Sequence, residues 1–117
     1  FFEKDEMTSA DAKVLHYFKF ECFGKVQRVF MRKCTKEAAD RLSITGWVMN
    51  TENKTVKGEA CGSGPNLKKF RYWLESEGAP KAVIEKAVFK DEQIVGENPF
   101  KEFQIRKVKL ANGSYWA

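Results

Sequence analysis

Histidine and long apolar runs are both scarce in this sequence. His16 is the only histidine, and because it falls in the first predicted strand we expect it to be structural rather than catalytic. No apolar run approaches the roughly 20 residues that a membrane-spanning helix needs. Residues 1–13 lack the basic start, apolar middle and small-residue cleavage site of a secretory signal. These absences favour a cytoplasmic protein with no membrane partner.

Cysteine is also sparse. Cys22, Cys34 and Cys61 are odd in number and have no metal-ligand spacing. We therefore expect reduced thiols in a cytosolic protein and no metal site. One disulfide with a third cysteine left over is the alternative.

The charge balance is positive, with a formal net charge of +5, and the charges are spread along the chain. This balance favours anionic partners, and charge alone does not distinguish nucleic acid, acidic lipid and small phosphorylated molecules. The chain has 117 residues, of which 43% are hydrophobic, so it is long enough for one domain with a real core. No internal repeat or low-complexity segment is visible.

Hydrophobic periodicity predicts five strands and two helices. The predicted strands cover residues 14–23, 44–50, 55–61, 82–89 and 100–107. The predicted helices cover residues 29–42 and a segment that begins near Pro65 and ends before Gly78, with loops at 25–28 and 91–99. The order β-α-β-β-α-β plus one extra strand predicts an α+β, ferredoxin-like fold with two helices on one face of a mainly antiparallel sheet.

The domain is predicted to span residues 14–107. Residues 1–13 are expected to form a flexible arm, and residues 108–117 a tail for which Tyr115 and Trp116 are the candidate anchors.

Two predicted elements carry clear buried faces. The first helix has apolar residues at every fourth position, namely Phe30, Cys34, Ala38 and Leu42. The last strand is expected to turn Phe103 and Ile105 inward.

The segment FGKVQRVFMRK, residues 23–33, predicts a strand, a short loop and the start of a helix. Such a junction gathers several backbone N–H groups, because the first turn of a helix has no internal acceptors for them. The helix dipole adds partial positive charge at the same point. Arg32 comes early in the helix, where its guanidinium can reach back over the loop. The junction therefore predicts an anion site.

Two motifs resemble those of the acylphosphatase family. Residues 24–32 read GKVQRVFMR, which is similar to the family pattern G-x-V-Q-G-V-x-F-R, and residues 46–51 read GWVMNT, like the family's G-W-V-x-N-T. The likeness continues through TVKGEACG at 55–62, the segment WLESEGAPKAVIEKAVF at 73–89 and FQIRK at 103–107. It spans about residues 16–107 and is nearer the family's common type than its muscle type.

The resemblance implies a metal-free, cofactor-free monomeric hydrolase that splits acyl phosphates into carboxylate and inorganic phosphate. It gives the phosphate-binding role to Arg32 and to the loop, and the role of orienting the attacking water to Asn50. The substrate-binding residues that it implies are Gly24, Lys25, Val26, Gln27, Arg28, Val29, Phe30 and Thr51.

Two positions depart from the family pattern. Arg28 replaces the glycine after Val-Gln, and Met31 replaces the phenylalanine before the arginine. Met31 is a mild apolar exchange. Arg28 either strains the loop, blocks the phosphate or adds a second cation, so we expect phosphate binding with altered turnover.

Two other functions remain as alternatives. The first is an acylphosphatase-like domain that binds anions or a protein and has lost turnover through Arg28. The second is a nucleic-acid-binding module, because RNA-recognition domains share the same order of elements. The predicted third strand, TVKGEAC, has no aromatic residue on which a base could stack, which argues against nucleic acid.

Overall fold

The computed structural model describes residues 14–107. These residues form strands β1 (Leu15–Lys25), β2 (Thr45–Asn50), β3 (Val56–Ser63), β4 (Val83–Val95) and β5 (Phe103–Arg106), and helices α1 (Met31–Arg41) and α2 (Gly64–Ser76). Within them, no helix is long and apolar enough to cross a membrane. The predictions for residues 1–13 and 108–117, including the anchoring role of Tyr115 and Trp116, lie outside the described residues.

The five strands form one sheet in the order β4-β1-β3-β2-β5. The pairs β1–β3, β1–β4 and β2–β3 are antiparallel, whereas β5 is parallel to β2. Helix α1 packs against β2 and β5, α2 packs against β1, β3 and β4, and the two helices contact each other. This arrangement is the predicted α+β, ferredoxin-like fold, with both helices on one face of a mainly antiparallel sheet.

The core lies between the sheet and the helices. On β1, Phe18, Phe20 and Cys22 are buried while Lys19 is exposed, as the alternation predicts. Phe70 of α2 completes this layer by an edge contact with Phe20, at 5.9 Å between ring centroids. All three cysteines are free thiols, and burial raises the pKa of Cys22 to about 12.

Helix α1 begins at Met31, two residues later than predicted, and this changes its buried face. Phe30 is 74% exposed, so the prediction that it faces the core is wrong. Its φ of 60° is left-handed, and a residue in that conformation cannot belong to a right-handed helix. The buried positions of the helix are Met31, Thr35, Ala38 and Ala39.

Strand β4 is longer than predicted, and most of the loop expected at 91–99 belongs to it. Because β4 lies at the edge of the sheet, its side chains are mostly exposed and its alternation is weak. Asp91, at φ 55°, sits beside a register shift between Tyr17 and Lys19, and the strand continues beyond it to Val95.

Strand β5 is shorter than the predicted 100–107. Phe103 is buried as expected, but Ile105 is 40% exposed, so its inward placement was wrong. The strand has only four residues, and Phe103 is the only one of them that is buried.

Candidate active site

The predicted site residues gather where strands β1 and β2 end. Both strands are antiparallel to β3, so they run in the same direction and their last residues lie at the same end of the sheet. Helix α1, which crosses from β1 to β2, begins there. Strand β1 ends with Gly24 and Lys25, and the loop that follows consists of Val26, Gln27, Arg28, Val29 and Phe30. Arg32 lies in α1. Asn50 is the last residue of β2, and Thr51 follows it.

Strand β1 runs through Gly24, which was predicted to end it. Lys25 still pairs with Val83 of β4. Gly24 has φ 123°, and a Cβ there would lie 2.1 Å from the carbonyl oxygen of Val83. Only glycine permits β4 to pass this closely, so this residue fixes where the loop leaves the sheet.

The loop after Lys25 has the backbone geometry of an anion-binding nest. Arg28 and Phe30 have φ 61° and 60°, and Val29 between them does not have a positive φ. Conformations that alternate in this way turn successive N–H groups toward one point. Among the described residues, no acceptor bonds the backbone N–H groups of residues 27–33. An anion at this point would supply the missing acceptor.

Buried side chains hold the loop against the core. Val26 and Val29 are both buried, as is Met31 in the first helical position. The backbone of the loop is thus fixed by apolar packing while its N–H groups stay free of internal partners. Binding an anion to such a preformed loop requires little reorganisation.

Arg32 is the second residue of α1 and is partly buried. Within residues 14–107 it forms no ion pair. A cation is unfavourable in the first turn of a helix, where the dipole is positive, and this first turn has no acidic residue. A bound anion would relieve this repulsion and pair with the guanidinium.

The side chain of Gln27 joins the loop to the β2–β3 hairpin. Its Nε2 donates to the carbonyl oxygens of Thr51, at 2.8 Å, and Thr55, at 2.9 Å. Because Thr51 directly follows Asn50, these two hydrogen bonds set the distance between the loop and Asn50.

The side chain of Asn50 lies on the side of the sheet that the helices cover. It alternates along β2 with Val48, which is fully buried, and it is itself 4% exposed. Its Cα partner on β3 is Val56, which also pairs with Cys22 on β1. Two strand spacings therefore place Asn50 about 10 Å from Cys22, two residues before Gly24.

A chain of hydroxyl groups fixes the hairpin below Asn50. The Oγ1 atoms of Thr51 and Thr55 are 2.6 Å apart, and Thr55 Oγ1 donates to Glu21 Oε2 of β1 at 2.6 Å. Sequence reasoning missed the parts of Gln27, Thr55 and Glu21 in this network. Glu21 sits on the polar face of an alternating strand, where nothing in the pattern sets it apart from a solvated carboxylate.

Other candidate groups lie elsewhere. His16 is near the start of β1, about 25 Å along the strand from Gly24. The basic face of α2 is engaged locally, since Arg71 forms ion pairs with Glu75 and Glu92. Among residues 14–107, no group of three or more His, Cys, Asp or Glu side chains is placed to hold a metal ion.

Replacing Gln27 with alanine is expected to destabilise the protein by about 1–2 kcal/mol, because its two partly buried hydrogen bonds to the β2–β3 hairpin are lost. Urea unfolding measures this change. Gln104→Ala is the matched control, since within residues 14–107 the amide of Gln104 bonds only the exposed Glu102, at 3.3 Å. Equal stability of the two variants would show that the link between loop and hairpin contributes nothing.

Comparisons with known proteins agree with this architecture. A sequence model of the acylphosphatase family matches residues 18–105. Acylphosphatase-1 of Homo sapiens is 39% identical over 98 residues, covering 84% of this chain and 99% of the relative. Acylphosphatase-2 of Homo sapiens is 32% identical over 95 residues, covering 81% and 96%.

Solved structures show the same fold. An acylphosphatase from Coxiella burnetii superposes with a TM-score of 0.70 at 27% identity, covering 85% of this chain and all of that one. An acylphosphatase from Bacillus subtilis superposes with a TM-score of 0.72 at 23% identity, covering 78% and 98%, and supports the fold alone. Because the family model matches residues 18–105 and both human relatives are more than 30% identical over more than four fifths of the chain, this chain belongs to the acylphosphatase family and is an acyl phosphate hydrolase.

Proposed function

We propose that the loop of residues 24–30 and Arg32 hold the phosphoryl group of the substrate while Asn50 orients the attacking water. The observation that carries this proposal is the set of backbone N–H groups at residues 27–33, which have no acceptor among the described residues. These N–H groups lead into the first turn of the helix that carries Arg32. The side chain of Gln27 hydrogen-bonds Thr51, the residue after Asn50. Phosphate binder and water-orienting amide thus belong to one rigid assembly.

The reaction suits such a site because acyl phosphates are already activated. Water oxygen forms a bond to phosphorus, the bond from phosphorus to the acyl oxygen breaks, and the carboxylate leaves with the electron pair. The site must neutralise the phosphoryl oxygens and align the water, which is positioning and electrostatics rather than strong nucleophile chemistry. The N–H groups, the helix dipole and the guanidinium supply the neutralisation.

The proton of the attacking water has a destination within the substrate. Glu21, three residues before Gly24, already accepts a hydrogen bond from Thr55, and the histidine is at the far end of β1. A phosphoryl oxygen of the substrate takes the proton in our proposal. The oxygen of the Asn50 amide accepts a hydrogen bond from the same water and fixes its lone pair toward phosphorus.

The test is release of phosphate from benzoyl phosphate in the presence of excess EDTA. We expect steady turnover that chelator does not change, and competitive inhibition by inorganic phosphate. Phosphate should also raise the melting temperature, because it binds the folded state alone. Absence of both inhibition and thermal protection would contradict an anion site at this loop.

Arg28 underlies the alternative of a domain with impaired turnover. Its φ of 61° costs about 1 kcal/mol for a residue with a side chain. The side chain is exposed, so it does not fill the core and instead adds a cation at the rim of the loop. We propose that it strengthens anion binding and slows product release, leaving the chain an active hydrolase.

The variant Arg28→Gly is expected to raise KM for benzoyl phosphate about threefold, through loss of one partly screened cation. Its free energy of unfolding should rise by less than about 1 kcal/mol, because relief of the left-handed strain is offset by a more flexible unfolded chain. Steady-state kinetics and urea unfolding measure the two effects.

Arg28→Lys separates charge from conformation, because it keeps the cation and the strain. It should retain the KM of the wild type. Kinetics identical for wild type and Arg28→Gly would make Arg28 a bystander, whereas turnover that appears only in Arg28→Gly would establish the impaired domain.

The face of the sheet opposite the two helices gives little support to nucleic-acid binding. Strand β3 carries no aromatic residue. Tyr17 on β1 is only 8% exposed, and its hydroxyl donates to Glu59. Burial and the bond to Glu59 raise the pKa of Tyr17 well above its ordinary value. Trp47 on β2 also donates to Glu59, at 2.8 Å, so these rings are engaged within the fold.

A further inference from the structure

Phe30 combines two unfavourable features at one position. Its side chain is 74% exposed, and its backbone is left-handed at φ 60°. The other exposed large apolar residues of the described region all lack a positive φ; they are Tyr72, Val83, Ile94 and Ile105. A glycine at position 30 would avoid both costs, and a polar residue would avoid the exposure of an apolar ring. Residues with a strained backbone are concentrated at active sites and ligand-binding sites.

The position of Phe30 points to what its ring contacts. It is the N-cap residue of α1, and its neighbours Val29 and Met31 are both buried. The backbone of Phe30 is therefore held in the anion loop while its ring projects into solvent. No ring contact or side-chain bond engages Phe30 within residues 14–107.

The substrate has one part that the anion loop cannot bind. The phosphoryl oxygens accept hydrogen bonds from the backbone N–H groups of the loop and pair with Arg32. The acyl group must therefore extend from that point toward solvent. A fixed phenyl ring at the rim offers an apolar surface for this group, and the contact would remove the exposed ring from water.

We infer that the side chain of Phe30 binds the acyl group, and that the chain prefers acyl phosphates with an aromatic or bulky apolar acyl group over acetyl phosphate. This inference depends on the proposed function, because it assumes that the loop holds the phosphoryl group. It adds a specificity-determining role to a residue whose backbone alone was assigned to the site.

Two phosphonates that cannot be hydrolysed test the inference without turnover. Benzylphosphonate should bind the wild type about 10-fold more tightly than methylphosphonate, as measured by calorimetry, because aromatic contact adds to phosphonate binding. In Phe30→Ala this ratio should fall to within about twofold, with the affinity for methylphosphonate and inorganic phosphate unchanged. Phe30→Tyr keeps the ring and should keep the ratio.

Ile94→Ala is the matched control for loss of an exposed apolar side chain. Ile94 is 67% exposed and pairs with His16 at the opposite end of β1 from the loop. This variant should retain the wild-type ratio. Thermal unfolding of each variant verifies that the exposed substitution leaves the fold intact.

The outcomes separate the two proposals. The role of Phe30 would be overturned if the wild type bound the two phosphonates equally well. It would also be overturned if Phe30→Ala kept the wild-type ratio of the two affinities, or lost affinity equally for both phosphonates. Failure of both phosphonates and of inorganic phosphate to bind would instead contradict the anion site. Binding with the expected ratio but no phosphate release from benzoyl phosphate would uphold the acyl contact and overturn catalysis.

Discussion

Replacing Arg32 with alanine is expected to lower kcat/KM for benzoyl phosphate by about 1,000-fold, since a preorganised cation at a phosphoryl group is among the largest single contributions to its transfer. The loss should appear in both kcat and the inhibition constant of inorganic phosphate, because substrate, transition state and product all carry the phosphoryl charge. Steady-state kinetics with phosphate as competitor measures both quantities.

The stability of this variant should change little. Arg32 forms no ion pair within residues 14–107, and removal of a cation from the first turn of α1 relieves repulsion by the helix dipole. The free energy of unfolding is expected to stay within about 0.5 kcal/mol of the wild type. Loss of activity without loss of stability is the signature of a binding group rather than a structural one.

Two further variants sharpen the result. Arg32→Lys keeps the charge but loses the forked donor, so we expect partial activity. Arg41→Ala is the control on the same helix, because Arg41 lies in its last turn and is exposed. Activity of Arg32→Ala within about tenfold of the wild type would contradict the role of this guanidinium.

Replacing Asn50 with alanine is expected to reduce kcat about 100-fold while the inhibition constant of inorganic phosphate stays within about twofold of the wild type. The separation arises because the amide acts on the water and not on the phosphoryl group. Since Asn50 is 4% exposed, its truncation should also cost about 1–2 kcal/mol of stability. Assays should therefore run well below the melting temperature of the variant.

Asn53→Ala is the matched control for Asn50→Ala. Asn53 lies three residues further along, in the same hairpin, and is exposed; its backbone N–H, which the substitution keeps, donates to Thr51 Oγ1 at 3.2 Å. Asn50→Asp adds a negative charge and should weaken phosphate binding as well as turnover. A parallel rise in the phosphate inhibition constant and fall in kcat for Asn50→Ala would assign the residue to phosphate binding instead of water.

Local patterns predicted the elements whose side chains obey a simple period. The alternation of Phe18, Phe20 and Cys22 gives the buried face of β1 correctly, and the glycine and helix start around Arg32 locate the loop between β1 and α1. Both signals depend on neighbours within one element.

The errors have two physical origins, which are a local backbone conformation at Phe30 and contacts between distant segments. The left-handed backbone at Phe30 shifts the start of α1 and exposes a ring that periodicity assigns to the core. The length of β4 depends on pairing with β1, up to Val95 opposite Leu15. The bonds from Gln27 to the hairpin join residues 24 and 28 positions apart. No period within one element reports such partners.

The strand order has a consequence for how the enzyme reaches its working form. In the sheet order β4-β1-β3-β2-β5, only β2 and β3 are both consecutive in the chain and hydrogen-bonded to each other. Every other pairing closes a long stretch of chain first, a topology associated with slow folding. Because Gln27 reaches its two carbonyl partners only after β1 has joined the hairpin, hydrolytic competence should emerge together with the native sheet during refolding. The rate at which hydrolytic activity recovers during refolding would then report when β1 joins the β2–β3 hairpin.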